Sequence, residues 1–450
     1  MIKVLITDKL AKEGIDLINA TPGAEAVVKI GISEDELCNI IRDYDGLIVR
    51  SETKVNARVL SNPGRLKGVA RAGVGVDNID VPAATRKGIL VMNTPGGNTL
   101  SAAEHTMALM LAMSRNVVQA CNSLKSGAWD RKKYTGNQLN NKVLGVIGLG
   151  RIGVAVARMA HGLNMKILGY DPLSAPTNAE ELGIEVTDKL ERIFRESDFI
   201  TIHVPKNAQT LNMIGTDQIA MMKPTVRLVN CARGGIINED SLYDALSKKR
   251  IAGAALDVFS SEPPQDLRFA ALDNCIVTPH LGASTEEAQV EVAVEAAEIL
   301  LDAIKGGPVR NAVNAPSTSG AMPPLVGQYA DLARRVGVLL STIAPGNIKE
   351  VQVQYRGTIG GMSVQPVTLN FAIGLLQRHF EMPLNMVNTP VLAKERGISI
   401  DETKNTEARD VASSFTATVE TGEVKRTVRG SVFGETLLRI IEIDGFHVEM

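Results

Sequence analysis

The chain has 450 residues, 44% of them apolar and 22% charged, and a formal net charge of −2. That length suits about two to four domains with sizeable cores. The balanced charge and an aromatic content of only 4% argue against a nucleic-acid-binding field, attachment to anionic membrane, and an aromatic platform for single strands.

The chain opens with "MIKVLITDKL", a strand and turn without the apolar core of a leader peptide. Buried strands are expected at 3–7, 25–30, 45–50, 68–73 and 89–93. Between them, "AKEGIDLINA" and "SEDELCNIIRDY" carry apolar residues at helical spacing, with Ser33 as N-cap and Glu36 completing a capping box. Strand alternating with helix implies a parallel sheet covered on both faces. Pro95, Gly96 and Gly97 then break the series, and one long helix is expected over 98–119. It is apolar over much of its circumference, which suits burial between domains or subunits. Its densest run, "TMALMLAM", is far short of the roughly 20 residues of a membrane span.

A second series begins at "KVLGVIGLG" (142–150) and continues through "MKILGYD", "DFITIHV", "TVRLVN", "IAGAALDV" and "NCIVTPH". A helix over 285–306 returns the chain to the first lobe. The expected fold is α/β: two doubly wound parallel-sheet lobes, a substrate lobe and a Rossmann lobe, with a cleft between them and a C-terminal α+β domain. The expected domains are 1–97 with 284–315, then 98–283, then 316–450. The stretch 311–324, rich in Ala, Pro, Ser and Gly, reads as a linker. Beyond it come an amphipathic helix from Pro324, an alternating strand from Asn347, and a hairpin turning at Thr421–Gly422. Lys425, Arg426 and Arg429 fall on one hairpin strand, as either an anion site or a solvated face.

The chemistry concentrates in the second series. Gly148, Gly150 and Gly153 form G-x-G-x-x-G after a strand and at the start of a helix, and the next strand ends on Asp171. This is the context of a dinucleotide site: tight turn, close approach to pyrophosphate, and helix N-terminus. Asp171 would accept both ribose hydroxyls and repel a 2′-phosphate, which favours NAD over NADP. Strand ends further on present Arg233 in "NCARGG", Asp257 and Glu262 in "DVFSSEPP", and His280 in "TPHLGAST". A carboxylate beside an imidazole orients the ring and favours its charged form, giving a general acid/base. An arginine can hold a carboxylate bidentately.

The four cysteines, Cys38, Cys121, Cys231 and Cys275, show no Cys-x-x-Cys spacing. No metal site and no disulfide framework are expected, and a reducing cytoplasm is the simplest compartment.

Taken in order, "RAGVGVDNID", "NTPGGNTLSAAEHT", "GLGRIG", "NCARGG", "DVFSSEPP" and "TPHLGAST" resemble the D-2-hydroxyacid dehydrogenases over about residues 1–315. The resemblance implies Arg233, Glu262 and His280 as the catalytic set. It implies cofactor contacts at Gly148, Gly150, Arg151, Ile152, Gly153, Asp171, Val204, Cys231, Ala232, Asp257, Leu281, Gly282 and Ala283. It implies substrate contacts at Val74, Gly75 and Asn98. Arg50 and Ser51, and Arg131 and Lys132, resemble stretches that meet a substrate phosphate in members acting on phosphorylated 2-hydroxy acids. A homo-oligomer, dimer or tetramer, built on the helix at 98–119 is the expected assembly, with no nucleic-acid or membrane partner. Residues 316–450 resemble the regulatory domain of longer members. Those continue into a serine-binding domain, whereas this chain ends about where it would begin. "HVPKNAQT" (203–210) departs from the family's usual loop. Two alternatives stay open: a dehydrogenase of another 2-hydroxy acid such as glycerate, glyoxylate or 2-hydroxyglutarate, and an NAD-sensing binding protein.

Overall fold

The computed structural model describes residues 1–173, 176–316, 322–434 and 436–448. Part of the expected linker, 317–321, lies outside them. The chain divides into two compact units, one of residues 1–94 with 293–450 and one of residues 95–292.

In the first unit, β1 (Ile2–Ile6), β2 (Ala24–Val28), β3 (Gly46–Val49), β4 (Gly68–Arg71) and β5 (Leu90–Asn93) form a sheet ordered β2-β1-β3-β4-β5. All pairings are parallel. Gly46–Val49 is buried at every residue, as the near-continuous apolar runs require when helices cover both faces. Strand order reverses between β1 and β3, so the loops at their C-terminal ends stand at a switch point. Ser33 caps its helix as expected, accepting from the Glu36 N–H at 3.2 Å. The reciprocal half of the capping box is absent, because the Glu36 carboxylate lies 3.4 Å from Lys29 Nζ instead.

The second unit holds β6 (Val143–Ile147), β7 (Lys166–Tyr170), β8 (Ile184–Val186), β9 (Phe199–Ile202), β10 (Arg227–Asn230), β11 (Gly253–Leu256) and β12 (Cys275–Val277). They form a parallel sheet ordered β12-β11-β10-β9-β6-β7-β8. Its reversal lies between β6 and β9, next to the glycine loop. Strand β8, not expected from the sequence, extends the far edge. The single helix expected over 98–119 is two helices, Thr99–Ser114 and Val117–Lys125, broken where Asn116 takes a left-handed φ of 53°. Asn tolerates that region better than other side-chain-bearing residues.

The C-terminal part of the first unit is a mixed sheet of β13 (Ile348–Gly357), β14 (Ser399–Asn405), β15 (Ser413–Thr421), β16 (Lys425–Phe433), β17 (Leu437–Ile443) and β18 (Phe446–His447), ordered β14-β13-β15-β16-β17-β18. Helices Pro324–Ile343 and Gln365–Leu376 pack together, with Tyr329, Val336, Phe371 and Leu375 in a core shared with Tyr355 and Phe415. The three basic residues of the hairpin are all paired with carboxylates. Lys425 meets Glu420, Arg426 meets Asp444, and Arg429 meets Asp410 and Glu442. The strand face is thereby neutralised, each of the three cations considered for an anion site being already paired among the described residues.

Candidate active site

The glycine loop starts where β6 ends. Gly148 has φ of 94°, which glycine tolerates, and its N–H donates to the Tyr170 carbonyl at 2.8 Å. A Cβ on Gly153 would stand 1.9 Å from the Gly148 carbonyl oxygen. Only glycine therefore lets the helix Arg151–Gly162 sit against its own loop. Gly150 caps that helix without a side-chain hydrogen bond, so the first N–H groups point outward with the positive end of the helix dipole. Asp171, just after β7, accepts from the Leu149 N–H at 2.9 Å and from the Leu173 N–H at 2.9 Å. The carboxylate thus holds the loop at the end of the neighbouring strand. Among the other expected cofactor residues, the Val204 side chain lies against Gly148 and Arg151 Nη1 approaches Gly96. Ile152 and Cys231 pack at the edge of one core of this unit, and Val204 and Ala232 at the edge of another. An uncapped helix N-terminus, a loop open at Gly150 and an acceptor at Asp171 together fit a dinucleotide.

The next strand ends carry the polar set. After β10, the buried Asn230 accepts from the Ala232 N–H and donates to the Arg233 carbonyl, both at 3.0 Å. Gly234 then lies so near the Phe259 carbonyl that a Cβ would be 1.8 Å from its oxygen. Glycine at this position therefore lets the chain pass close against the loop after β11. Arg233 Nη1 donates to the Ala232 carbonyl at 2.7 Å.

Asp257, fully buried at the end of β11, organises the loop carrying His280. Its main-chain carbonyl accepts from the His280 N–H at 2.9 Å. Its carboxylate accepts from the Leu281 N–H at 2.7 Å, the Gly282 N–H at 2.8 Å and the Thr278 hydroxyl at 2.6 Å. Burial alone would raise the Asp257 carboxyl, but these donors and His105 outweigh it and hold it below the usual aspartate value. His280 itself has φ of 57°, a left-handed conformation uncommon for a side-chain-bearing residue and frequent at functional sites. Its Nδ1 lies 2.6 Å from Glu262 Oε2. Glu262 Oε1 accepts from the Phe259 N–H at 3.0 Å, which fixes the carboxylate. Partial burial would raise the Glu262 carboxyl; the His280 and Phe259 hydrogen bonds and the charges of His280 and Arg233 hold it low.

Sequence reasoning missed His105. On the helix Thr99–Ser114, its Nε2 is 3.2 Å from both Asp257 Oδ1 and Thr278 Oγ1. The available signal was a His-Thr pair, partly buried His105 and buried Thr106, at the start of the apolar run of this helix.

The expected phosphate and substrate residues fall in both units. In the first, Arg50 and Ser51 follow β3, and the buried Asp8 clamps their loop. Its carboxylate accepts from the Arg50 N–H at 2.6 Å, the Glu52 N–H at 3.2 Å and the Thr53 N–H at 3.1 Å. Asn78 Nδ2 donates to the carbonyls of Arg50 and Thr53 at 2.8 and 2.7 Å. Val74 and Gly75 follow β4 on the same sheet edge, and Asn93 Nδ2 donates to the Val74 carbonyl. In the second unit, Asn98 stands at the N-terminus of its helix with a buried Oδ1 that has no protein partner among the described residues. Arg131 and Lys132 are exposed on a turn.

Residues 107–282 match the model of the D-isomer specific 2-hydroxyacid dehydrogenase NAD-binding domain, and 325–444 that of the D-3-phosphoglycerate dehydrogenase intervening domain. The chain is 43% identical to the D-3-phosphoglycerate dehydrogenase of Synechocystis over all of its own length and 81% of that protein. It is 41% identical to that of Methanocaldococcus jannaschii, again over its full length and 85% of the relative. The chain belongs to the D-3-phosphoglycerate dehydrogenase family. Solved structures place this dehydrogenase beside other 2-hydroxyacid enzymes. The Aquifex aeolicus D-lactate dehydrogenase complexed with NAD and lactic acid superimposes on 70% of this chain and all of its own, with a TM-score of 0.62 and 29% identity. A glyoxylate reductase from Paecilomyes thermophila covers 69% of this chain and 98% of its own, with a TM-score of 0.64 and 26% identity. The α/β lobes and the NAD-binding domain expected from the sequence are those of this dehydrogenase family.

Proposed function

We propose that this chain oxidises 3-phospho-D-glycerate to 3-phosphooxypyruvate with NAD, the first step of the phosphorylated route to serine. The observation that carries the reading is the His280 Nδ1 contact with Glu262 at 2.6 Å, on a loop held by Asp257. That contact commits Nδ1–H to Glu262 and leaves Nε2 for the substrate. In the oxidative direction Nε2 takes the proton of the 2-hydroxyl, and Glu262 stabilises the imidazolium that forms. Such proton transfer is worth about 10²–10⁴-fold in rate. Arg233 binds the substrate carboxylate through its guanidinium, with the Val74 and Gly75 backbone and Asn98 completing the carboxylate and hydroxyl contacts. Arg50, Ser51, Arg131 and Lys132 meet the phosphate. Bound NAD, held by the glycine loop and Asp171, supplies the hydride acceptor at its nicotinamide ring.

The assembly is a homo-oligomer through the helices Thr99–Ser114 and Val117–Lys125. Leu100, Leu111, Val117, Val118 and Leu124 are exposed along them, and Trp129 just beyond is 80% exposed, a run of apolar side chains typical of an interface. The C-terminal domain acts in regulation. All four cysteines are free and no helix among the described residues is long and apolar enough to cross a membrane, both in keeping with a cytoplasmic enzyme.

The test is NADH consumption with 3-phosphooxypyruvate against hydroxypyruvate and 2-oxoglutarate. The phosphorylated substrate is expected to give the highest kcat/KM. That advantage is expected to shrink by about 10–100-fold in Arg50→Ala or Arg131→Ala, one charge-assisted contact being worth roughly 1.5–3 kcal/mol. Equal use of all three substrates, or no turnover despite NADH binding, refutes the assignment.

A further inference from the structure

His105, Cys231 and Asp257 are far apart in sequence, yet one ligand atom from each lies within 4.8 Å of the other two. His105 Nε2 is 3.2 Å from Asp257 Oδ1. The carboxylate is fully buried and the imidazole about four-fifths buried. The Cys231 thiol lies beside the Thr106 hydroxyl. We propose that this trio is a site for a zinc-class divalent ion, and that the ion and bound NAD exclude one another.

The donor set is one imidazole nitrogen, one sulfur and one carboxylate oxygen, from three different elements: the helix Thr99–Ser114 and the ends of β10 and β11. Nitrogen, sulfur and oxygen together suit zinc, cobalt or nickel rather than magnesium or calcium, which take oxygen. Tetrahedral zinc, with bonds of about 2.0–2.3 Å, sets its ligand atoms about 3.3–3.7 Å apart. The His105–Asp257 separation of 3.2 Å already falls close to that range, and the Cys231 sulfur lies within 4.8 Å of both. The ion would sit between His105 Nε2 and Asp257, which now face each other directly. Asp257 Oδ1, the oxygen that faces His105, also accepts from the Thr278 hydroxyl and the Leu281 N–H, so the ion displaces one of these donors there, while Oδ2 goes on holding the His280 loop through the Gly282 N–H. Three protein ligands leave a fourth position for water, the arrangement of an exchangeable rather than a structural zinc.

The thiol must lose its proton on binding. Exclusion of NAD rests on the cofactor reading above, in which Cys231 and Asp257 are among the NAD contacts.

Cobalt(II) added to the full-length reduced protein tests the proposal directly. The expected result is one equivalent per chain with a thiolate-to-cobalt charge-transfer band, lost in both Cys231→Ser and His105→Asn while circular dichroism shows the fold retained. The other three cysteines remain in Cys231→Ser, so a band that persists there overturns the site, as does the absence of any band in the unaltered protein. Saturating NAD is expected to abolish the band. A band unmoved while NADH fluorescence reports bound nucleotide overturns the exclusion and leaves the metal site standing. Failure to bind NADH in metal-free protein falls instead on the cofactor reading.

Discussion

The two glycines that flank the start of the nucleotide helix separate folding from cofactor binding. A Cβ at Gly153 would sit 1.9 Å from the Gly148 carbonyl oxygen, whereas one at Gly150 meets nothing within 4 Å. In Gly153→Ala the contact must open to at least 3.0 Å, and the obstacle is backbone on the end of a buried strand. The helix must move off β6, at a cost of about 1–3 kcal/mol for overpacking. Gly150 has φ of −69°, a value alanine adopts without strain. Gly150→Ala is therefore expected to leave stability unchanged or raise it by about 0.4–1 kcal/mol, through the reduced entropy of the unfolded chain. Its methyl group nonetheless occupies the space through which the backbone approaches a pyrophosphate. Urea unfolding and NADH fluorescence titration, run on both variants, read the two effects. Gly153→Ala is expected to lose both stability and affinity; Gly150→Ala is expected to lose at least about tenfold in affinity alone, the equivalent of about 1.4 kcal/mol. Unchanged NADH affinity in Gly150→Ala would refute the placement of the pyrophosphate. An unshifted urea midpoint in Gly153→Ala would refute the steric argument.

Glu262→Gln keeps the shape of the His280 partner and removes its charge. kcat is expected to fall about 10–100-fold, within the range of general acid–base assistance, with a smaller change in KM, read from steady-state NADH formation across pH. Ionised Asp257 contributes stability that is fully present above the ordinary aspartate value of about 3.9 and is lost as pH falls through its lower folded value. Thermal midpoints of the unaltered protein should accordingly drop in acid, and those of Asp257→Asn should start lower at neutral pH and fall less steeply. Asp8→Asn weakens the clamp on the Arg50–Thr53 loop, so KM for the phosphorylated substrate should rise several-fold while kcat stays within about twofold, the charge being supplied by Arg50 itself. Leu111→Asp with Val117→Asp places two charges on the exposed apolar run, and light scattering should then report a smaller assembly than that of the unaltered protein.

Apart from the mostly exposed edge strand β8, both parallel sheets were legible from the sequence, because each buried strand is a short, nearly continuous apolar run between helices. The helix Gln365–Leu376 was not, because it is buried on almost every side and so lacks the one-sided stripe that marks a surface helix. The break at Asn116 was invisible for the opposite reason: the apolar pattern continues through it, and only the backbone turns. At the site, Arg233, Glu262 and His280 were legible as strand-end residues, since parallel sheets present their C-terminal ends together. What holds them was not. Asp257 grips the main chain at His280, Leu281 and Gly282 only because β11 and β12 pair Leu256 with Val277, a register that no spacing within either strand encodes. His105 reaches the same carboxylate from a helix some 150 residues earlier in the chain. The residues proposed for proton transfer can thus be found by their chemistry along the chain, whereas those that position them are defined by strand register and helix placement. Asp257 belongs to the second kind, which is why one buried carboxylate is expected to govern acid stability, the geometry of the His280 loop and the proposed metal site together.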